Sequence, residues 1–318
     1  MNKTFFLAGG AGFIGSHMAE NRLNVGKRAR IKIFDNFSSG KADFLCPFKK
    51  TSRLIITKGD LKNLQSVIKA MNKSDIVYHF AANPDIAKAV KQPDIDFWEG
   101  TYLTQNVLEA MRVNQVKKIF YTSGSGVYGE NISVNFSEKY GPCMPISTYG
   151  ASKLACEALI GSYVHMFGIT ARIFRFANVV GPKQTHGVAF DFINKLKQNP
   201  RQLTILGNGL QNKSYIHIDD VLSAIHLSDI NNRNKIDIFN VASEDYINVR
   251  DIADIVCKEM SLKKVTYLFT GGDRGWKGDV PIVRFDCAKI RKTGWRPMRN
   301  SSEAVTAAVR SMLKARND

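Results

Sequence analysis

Residues 3–15 read Lys3-Thr4-Phe5-Phe6-Leu7-Ala8-Gly9-Gly10-Ala11-Gly12-Phe13-Ile14-Gly15. The first six form a short apolar run of the kind that makes a buried strand. Glycines 9, 12 and 15 follow it directly and open a helix expected to run to about residue 25. In a strand–turn–helix unit, such glycines allow a tight turn, let a pyrophosphate approach the backbone and let the helix pack on the strand. The helix start adds free N–H groups and positive potential. A second strand, 30–34, ends at Asp35, twenty residues past Gly15. A carboxylate there accepts hydrogen bonds from ribose hydroxyls and repels a 2′-phosphate. The unit reads as a dinucleotide site preferring NAD to NADP, with Lys41 and Arg53 the nearest cations that would blur the preference.

Further strands are expected at 54–57, 76–80, 118–122 and 170–174, with helices near 97–113 and 149–167. Alternation of this kind predicts an α/β fold, a Rossmann-type doubly wound parallel sheet. Asp60-Leu61, after the third strand, either meet the adenine or cap the next helix. Beyond Asn178 the rhythm changes to a loop at 181–187, a helix at 188–198, a turn at Gly207-Asn208-Gly209 and a strand at 236–241. Helices near 249–260 and 302–315 complete a smaller, interwoven α/β substrate-binding domain. The expected boundaries are 1–178 plus about 214–242 for the first domain, and about 179–213 and 243–318 for the second.

The chain has 318 residues, 44% hydrophobic and 23% charged, enough for a large core. No run approaches the roughly 18 apolar residues of a membrane span. Its start lacks a basic-then-apolar signal layout. Cys46, Cys143, Cys156, Cys257 and Cys287 are scattered, which predicts reduced thiols in a cytoplasm and no structural zinc. The six histidines show no metal-binding spacing. His217 reads as a structural strand residue and His186 as a loop residue near the substrate. The net charge of +17 would suit nucleic acid or an anionic surface. The cations are dispersed in pairs such as Lys49-Lys50 and Lys117-Lys118, without a nucleic-acid motif. The expectation is therefore a solvated basic surface with a pocket for phosphorylated ligands.

Tyr149 and Lys153 lie four apart in Tyr149-Gly150-Ala151-Ser152-Lys153, which leads into a run rich in helix formers. Residues i and i+4 share a helix face. An ammonium one turn away favours a phenolate, and a phenol so tuned takes a proton from an alcohol while hydride leaves the same carbon.

The chain thus shows GGAGFIGSH at 9–17, DNFSSG at 35–40, GDL at 59–61, HFAANP at 79–84, YTSGSGVYGE at 121–130, YGASK at 149–153, RFANVVGP at 175–182 and YIHIDD at 215–220. In these ordered motifs it resembles the extended short-chain dehydrogenase/reductase family, in its nucleotide-sugar epimerase/dehydratase branch. The resemblance spans nearly the whole chain. It implies tightly held NAD against Gly9, Gly12, Phe13, Ile14, Gly15, Asp35, Asn36, Asp60, Leu61, Phe80, Ala81, Ala82, Tyr149 and Lys153. It implies catalysis by Tyr149 and Lys153, with a hydroxyl before Val127-Tyr128-Gly129 bonding the sugar oxygen. That position is Gly124 here, so Ser123 is the first candidate for it and Ser125 the second.

The resemblance also implies a nucleoside-diphosphate sugar as substrate, contacting Asn83, Ser123, Tyr149, Asn178, Lys213, Arg274 and Asp279, with base contacts around 203–209. It implies a homodimer through helices 97–113 and 149–167, and no metal, specific nucleic acid or membrane. The Asp-Glu pair of dehydratases is absent after Ser123, and Gly100 stands where the family usually has Asn. The expected activity is an NAD-dependent nucleotide-sugar 4-epimerase working through a transient 4-keto sugar. The main rival is a C4 dehydrogenase of a nucleotide-linked hexose or heptose that releases the keto sugar. A 4,6-dehydratase and a non-catalytic NAD-binding protein rank below both.

Overall fold

The computed structural model describes residues 3–26, 28–48, 51–131, 133–230 and 232–315, so the Lys49-Lys50 pair lies outside it. Strands β1 (Thr4–Ala8), β2 (Arg30–Asp35), β3 (Leu54–Lys58), β4 (Ile76–His79) and β5 (Lys118–Gly124) join Thr170–Phe176 and Ile236–Val241 in one sheet of seven strands. From one edge the order is Ile236–Val241, Thr170–Phe176, β5, β4, β1, β2, β3. The contacts of β1 with β2 and β4, of β2 with β3 and of β4 with β5 are all parallel. β4 is buried at every residue and β1 at all but its first, as expected for apolar parallel strands covered on both faces. The chain winds outward from β1 to β3 and then crosses back to place β4 beside β1. That reversal opens a crevice at the carboxyl ends of β1 and β4.

Helices α1 (Phe13–Val25), α2 (Leu64–Met71), α3 (Tyr102–Val113) and α4 (Thr148–Phe167) belong to the same unit. Val107, Leu108 and Met111 of α3 and Cys156, Ile160 and Val164 of α4 share a core with Val77, Ile119, Tyr121 and Ile173 of the sheet. Each large aliphatic side chain so buried is worth about 1.5–3 kcal/mol. The N-cap of α2 is Asn63, which accepts from the Ser66 amide at 3.1 Å, so Asp60 does not cap it. The helix expected over 97–113 forms without a break and opens with a π turn, Phe97–Thr101, that runs directly into α3.

The chain forms two compact units. The first comprises residues up to Val127, Thr148–Arg175 and Ser228–Phe239; the second comprises Tyr128–Ser147, Phe176–Leu227 and Asn240–Asp318. Of the residues expected in the first domain, 128–147, 176–178, 214–227 and 240–242 thus group with the second unit. Strand Asn135–Phe136 pairs with Arg284–Phe285, and the Tyr128 hydroxyl donates to Asn240 at 2.6 Å. Strand Tyr215–His217 pairs with Asn178–Val180, and the Tyr215 amide donates to Ser301 at 3.0 Å. Helices Val188–Gln198, Val249–Glu259 and Ser301–Lys314 close a core of Phe192, Ile193, Ile252, Val256, Val305 and Val309. Among the described residues no helix is long and apolar enough to cross a membrane.

Candidate active site

The turn after β1 is shaped by close backbone approach. Gly9 has φ +77°, and a Cβ there would lie 2.6 Å from the Ala81 amide nitrogen. A Cβ on Gly15 would lie 2.3 Å from the Gly9 carbonyl. Gly12 is the N-cap of α1 and has no side chain to cap it, so the amides of Phe13, Ile14 and Gly15 begin a helix open to an anion. Phe80 and Ala81, the residues after β4, both donate their amides to the Ala8 carbonyl, which sets this wall beside the glycine turn. Asp35 is buried at the end of β2. One of its carboxylate oxygens accepts from the Ala11 amide and the other from the Phe37 amide, both at 2.8 Å. Asn36 accepts from the Ser38 amide and Asp60 from the Lys62 amide, and Leu61 is buried with its carbonyl held by Asn106.

Tyr149 and Lys153 lie in the first two turns of α4. The Lys153 ammonium is buried, sits 5.5 Å from the centre of the Tyr149 ring and 5.0 Å from that of Tyr121, and donates to the Thr122 carbonyl at 2.7 Å. Two aromatic faces and a carbonyl therefore replace the water this cation gives up. His79 is fully buried, with Nε2 3.0 Å from the Thr104 hydroxyl. Burial and the Lys153 charge push its pKa down to about 3, so the ring stays neutral.

Ser123 is buried and gives its hydroxyl proton to Glu157 at 2.6 Å. Glu157 in turn holds Arg175 through two hydrogen bonds, at 3.0 and 2.6 Å. In this arrangement the Ser123 proton is given to Glu157 and its oxygen is left to accept. Ser125 is half-buried in the short turn Ser125–Tyr128. Asn83 is buried, and its amide is spent within the protein: it donates to the Asp85 carbonyl and to Asp96, both at 2.9 Å, and accepts from the Asp85 amide. These bonds shape the loop after β4.

In the second unit Asn178 donates to the Ser214 carbonyl at 3.2 Å. Lys213 pairs with the buried Asp279, whose other oxygen accepts from the Gly275 amide. Asp279 therefore organises its own loop. Arg274 donates to both carboxylate oxygens of Glu130, at 2.8 Å each, and to the Asp279 carbonyl at 2.7 Å. His217, at the end of the strand Tyr215–His217, lies 3.1 Å from Asp219 and is structural, whereas His186 is exposed on its loop.

The sequence alone does not single out Glu157, Arg175, Asp96 or Glu130. Glu157 is within reach of such a reading: it follows Lys153 by four residues, on the face that already carries Tyr149. The others are brought to their partners only by tertiary folding.

The model of the NAD dependent epimerase/dehydratase family matches residues 5–242. Over 314 residues the chain is 30% identical to a Methanocaldococcus jannaschii protein named "Putative UDP-glucose 4-epimerase", covering 96% of this chain and 97% of that one. The crystal structure of a UDP-galactose 4-epimerase matches with a TM-score of 0.87 at 34% identity, over 98% of this chain and 99% of that one. The UDP-glucose 4-epimerase of Thermus thermophilus, solved in complex with NAD, matches with a TM-score of 0.87 at 26% identity over the same shares.

Proposed function

The chain belongs to the NAD dependent epimerase/dehydratase family, and from that premise we propose that it inverts C4 of a nucleoside-diphosphate sugar through a transient 4-keto sugar. NAD is the cofactor of this family. The Cβ-free approach at Gly9 and Gly15 and the uncapped start of α1 fit its pyrophosphate, and Asp35 at the end of β2 fits its ribose. Bound there, NAD supplies a hydride acceptor that returns what it takes.

Tyr149 takes the proton of the C4 hydroxyl and later gives it back, while the buried Lys153 ammonium stabilises the charge on the phenolate. Ser123 and Ser125 face the sugar oxygen in this reading. Asn178, Lys213 and Arg274 provide the diphosphate contacts, and the first unit is the dinucleotide half of a cytoplasmic homodimer. The Tyr149–Lys153 pair carries the reading, together with a segment, Thr122-Ser123-Gly124-Ser125-Gly126, that offers no carboxylate for dehydration.

A second reading, net C4 oxidation with release of the keto sugar, is favoured by Ser123. Its proton is committed to Glu157, so it donates nothing to a sugar oxygen, and Gly124 adds no hydroxyl. Incubation with a panel of UDP-, GDP-, CDP- and dTDP-sugars, followed by NMR, separates the two. Epimer without net NADH supports inversion, accumulated keto sugar supports oxidation, and neither product with any sugar overturns both.

A further inference from the structure

Asp96 is almost completely buried, at 1% exposure, and its carboxylate is held by neutral donors. One carboxylate oxygen accepts from the Asn83 amide at 2.9 Å and the other from the Thr148 hydroxyl at 2.7 Å. Its backbone carbonyl accepts from the Ser152 hydroxyl at 2.6 Å. Taking a carboxylate out of water costs several kcal/mol, and an apolar side chain would fill the same space at less cost. The position of its contacts is informative. Thr148 and Ser152 are one turn apart on α4 and share a face, and each immediately precedes a residue of the Tyr149–Lys153 pair. Bonds to both fix the rotation of α4 about its axis, and that rotation decides where the phenol oxygen points.

Gly100 completes the arrangement. Asp96 is the N-cap of the π turn Phe97–Thr101, a feature that displaces backbone from the regular helical ladder. The Ser152 hydroxyl enters there and also lies 2.9 Å from the Thr101 hydroxyl. A Cβ on residue 100 would lie 2.3 Å from the Ser152 hydroxyl oxygen but 3.5 Å from the Ser152 Cβ. Glycine at 100 is therefore the space that this hydroxyl requires.

We propose that Asp96 is a positioning residue for Tyr149, acting through Thr148 and Ser152, and that Gly100 is glycine to admit the Ser152 hydroxyl. This rests on Tyr149 being the proton acceptor of the proposed reaction, so Tyr149→Phe is the control: full turnover in that variant would sink the reaction reading, whatever Asp96 does. Asp96→Ala lowers kcat about 10- to 100-fold, the scale of a small misplacement of a reacting group, with KM and NAD content near wild type. Asp96→Asn restores most of the loss, because its carbonyl still accepts a hydrogen bond and its amide can donate to Thr148. Gly100→Ala lowers kcat by displacing the Ser152 hydroxyl, and in a Ser152→Ala background, which has already lost the bond to the Asp96 carbonyl, it lowers kcat no further. That non-additivity reads out even if Asp96→Ala does not fold. A wild-type kcat in folded Asp96→Ala, an Asp96→Asn variant as slow as the alanine, or additive losses at 100 and 152 would each overturn the proposal.

Discussion

The hydroxyl of Ser123 donates to Glu157 at 2.6 Å, while Arg175 grips both oxygens of the same carboxylate. All three side chains are buried. A charge pair out of water stabilises little in itself, yet removing one member strands the other. Glu157→Ala should therefore lower unfolding stability by about 3–5 kcal/mol, by leaving the Arg175 cation without its carboxylate. Ser123→Ala removes one hydrogen bond to a charged group and should cost about 1.5–3 kcal/mol. Urea denaturation of the two variants measures both; equal midpoints for Glu157→Ala and wild type would show that Arg175 finds another anion.

His79 makes stability depend on pH. Its pKa falls from 6.5 to about 3 on folding, chiefly by desolvation and next by the Lys153 charge. Between those values the unfolded chain binds a proton that the native ring refuses. The contribution of His79 is therefore whole above pH 6.5 and is lost as pH falls toward 3, at up to about 1.4 kcal/mol per pH unit. His79→Gln keeps an amide near the Nε2 position and removes the titration. Urea midpoints from about pH 8 to about pH 4.5 should decline less steeply for this variant, and parallel curves would remove His79 from the account.

The sheet was legible because its strands are short apolar runs and the turn glycines sit where a parallel unit needs them. The Tyr149–Lys153 pair stood out by its spacing ahead of a helix, but that spacing gained meaning only from the motifs around it. Asp96 did not stand out: in Gln92-Pro93-Asp94-Ile95-Asp96-Phe97 it looks like half of a solvated acidic pair, and Asp94 is indeed exposed. Only folding brings Asn83, Thr148 and Ser152 to it. The grouping of 128–147 with the second unit was hidden for the same reason, since the two-residue strand Asn135–Phe136 leaves no periodicity to read. The strand expected at 170–174 continues to Phe176, because Arg175 can lie in a buried strand once Glu157 neutralises it.

Asp35 links cofactor choice to loop geometry. Its oxygens are engaged with the Ala11 and Phe37 amides, so the residue both holds the glycine turn and presents negative charge at the end of β2. Asp35→Asn keeps one acceptor and loses the charge. Discrimination between NAD and NADP should fall by about tenfold or more, the effect of removing roughly 1.4 kcal/mol of charge repulsion. Competitive titration with the two dinucleotides tests this, and an unchanged preference would assign selectivity elsewhere.

Glu130 competes with any phosphate for Arg274. Both of its oxygens accept from one terminal nitrogen of the guanidinium, a donor that a diphosphate would also seek. The pair is about one-third exposed, with side-chain exposures of 34% for Arg274 and 33% for Glu130, so its net worth is roughly 0.2–1 kcal/mol. If Arg274 anchors the diphosphate, binding must exchange one anion for the other. Glu130→Gln should then tighten UDP binding about two- to fivefold, because the competing charge is gone while the arginine remains. Arg274→Gln should weaken binding, and Glu130→Gln should have no effect in its presence. Calorimetric titration of the single and double variants measures the coupling; a Glu130→Gln variant that binds UDP more weakly would show that the carboxylate orients Arg274 for the ligand instead of withholding it.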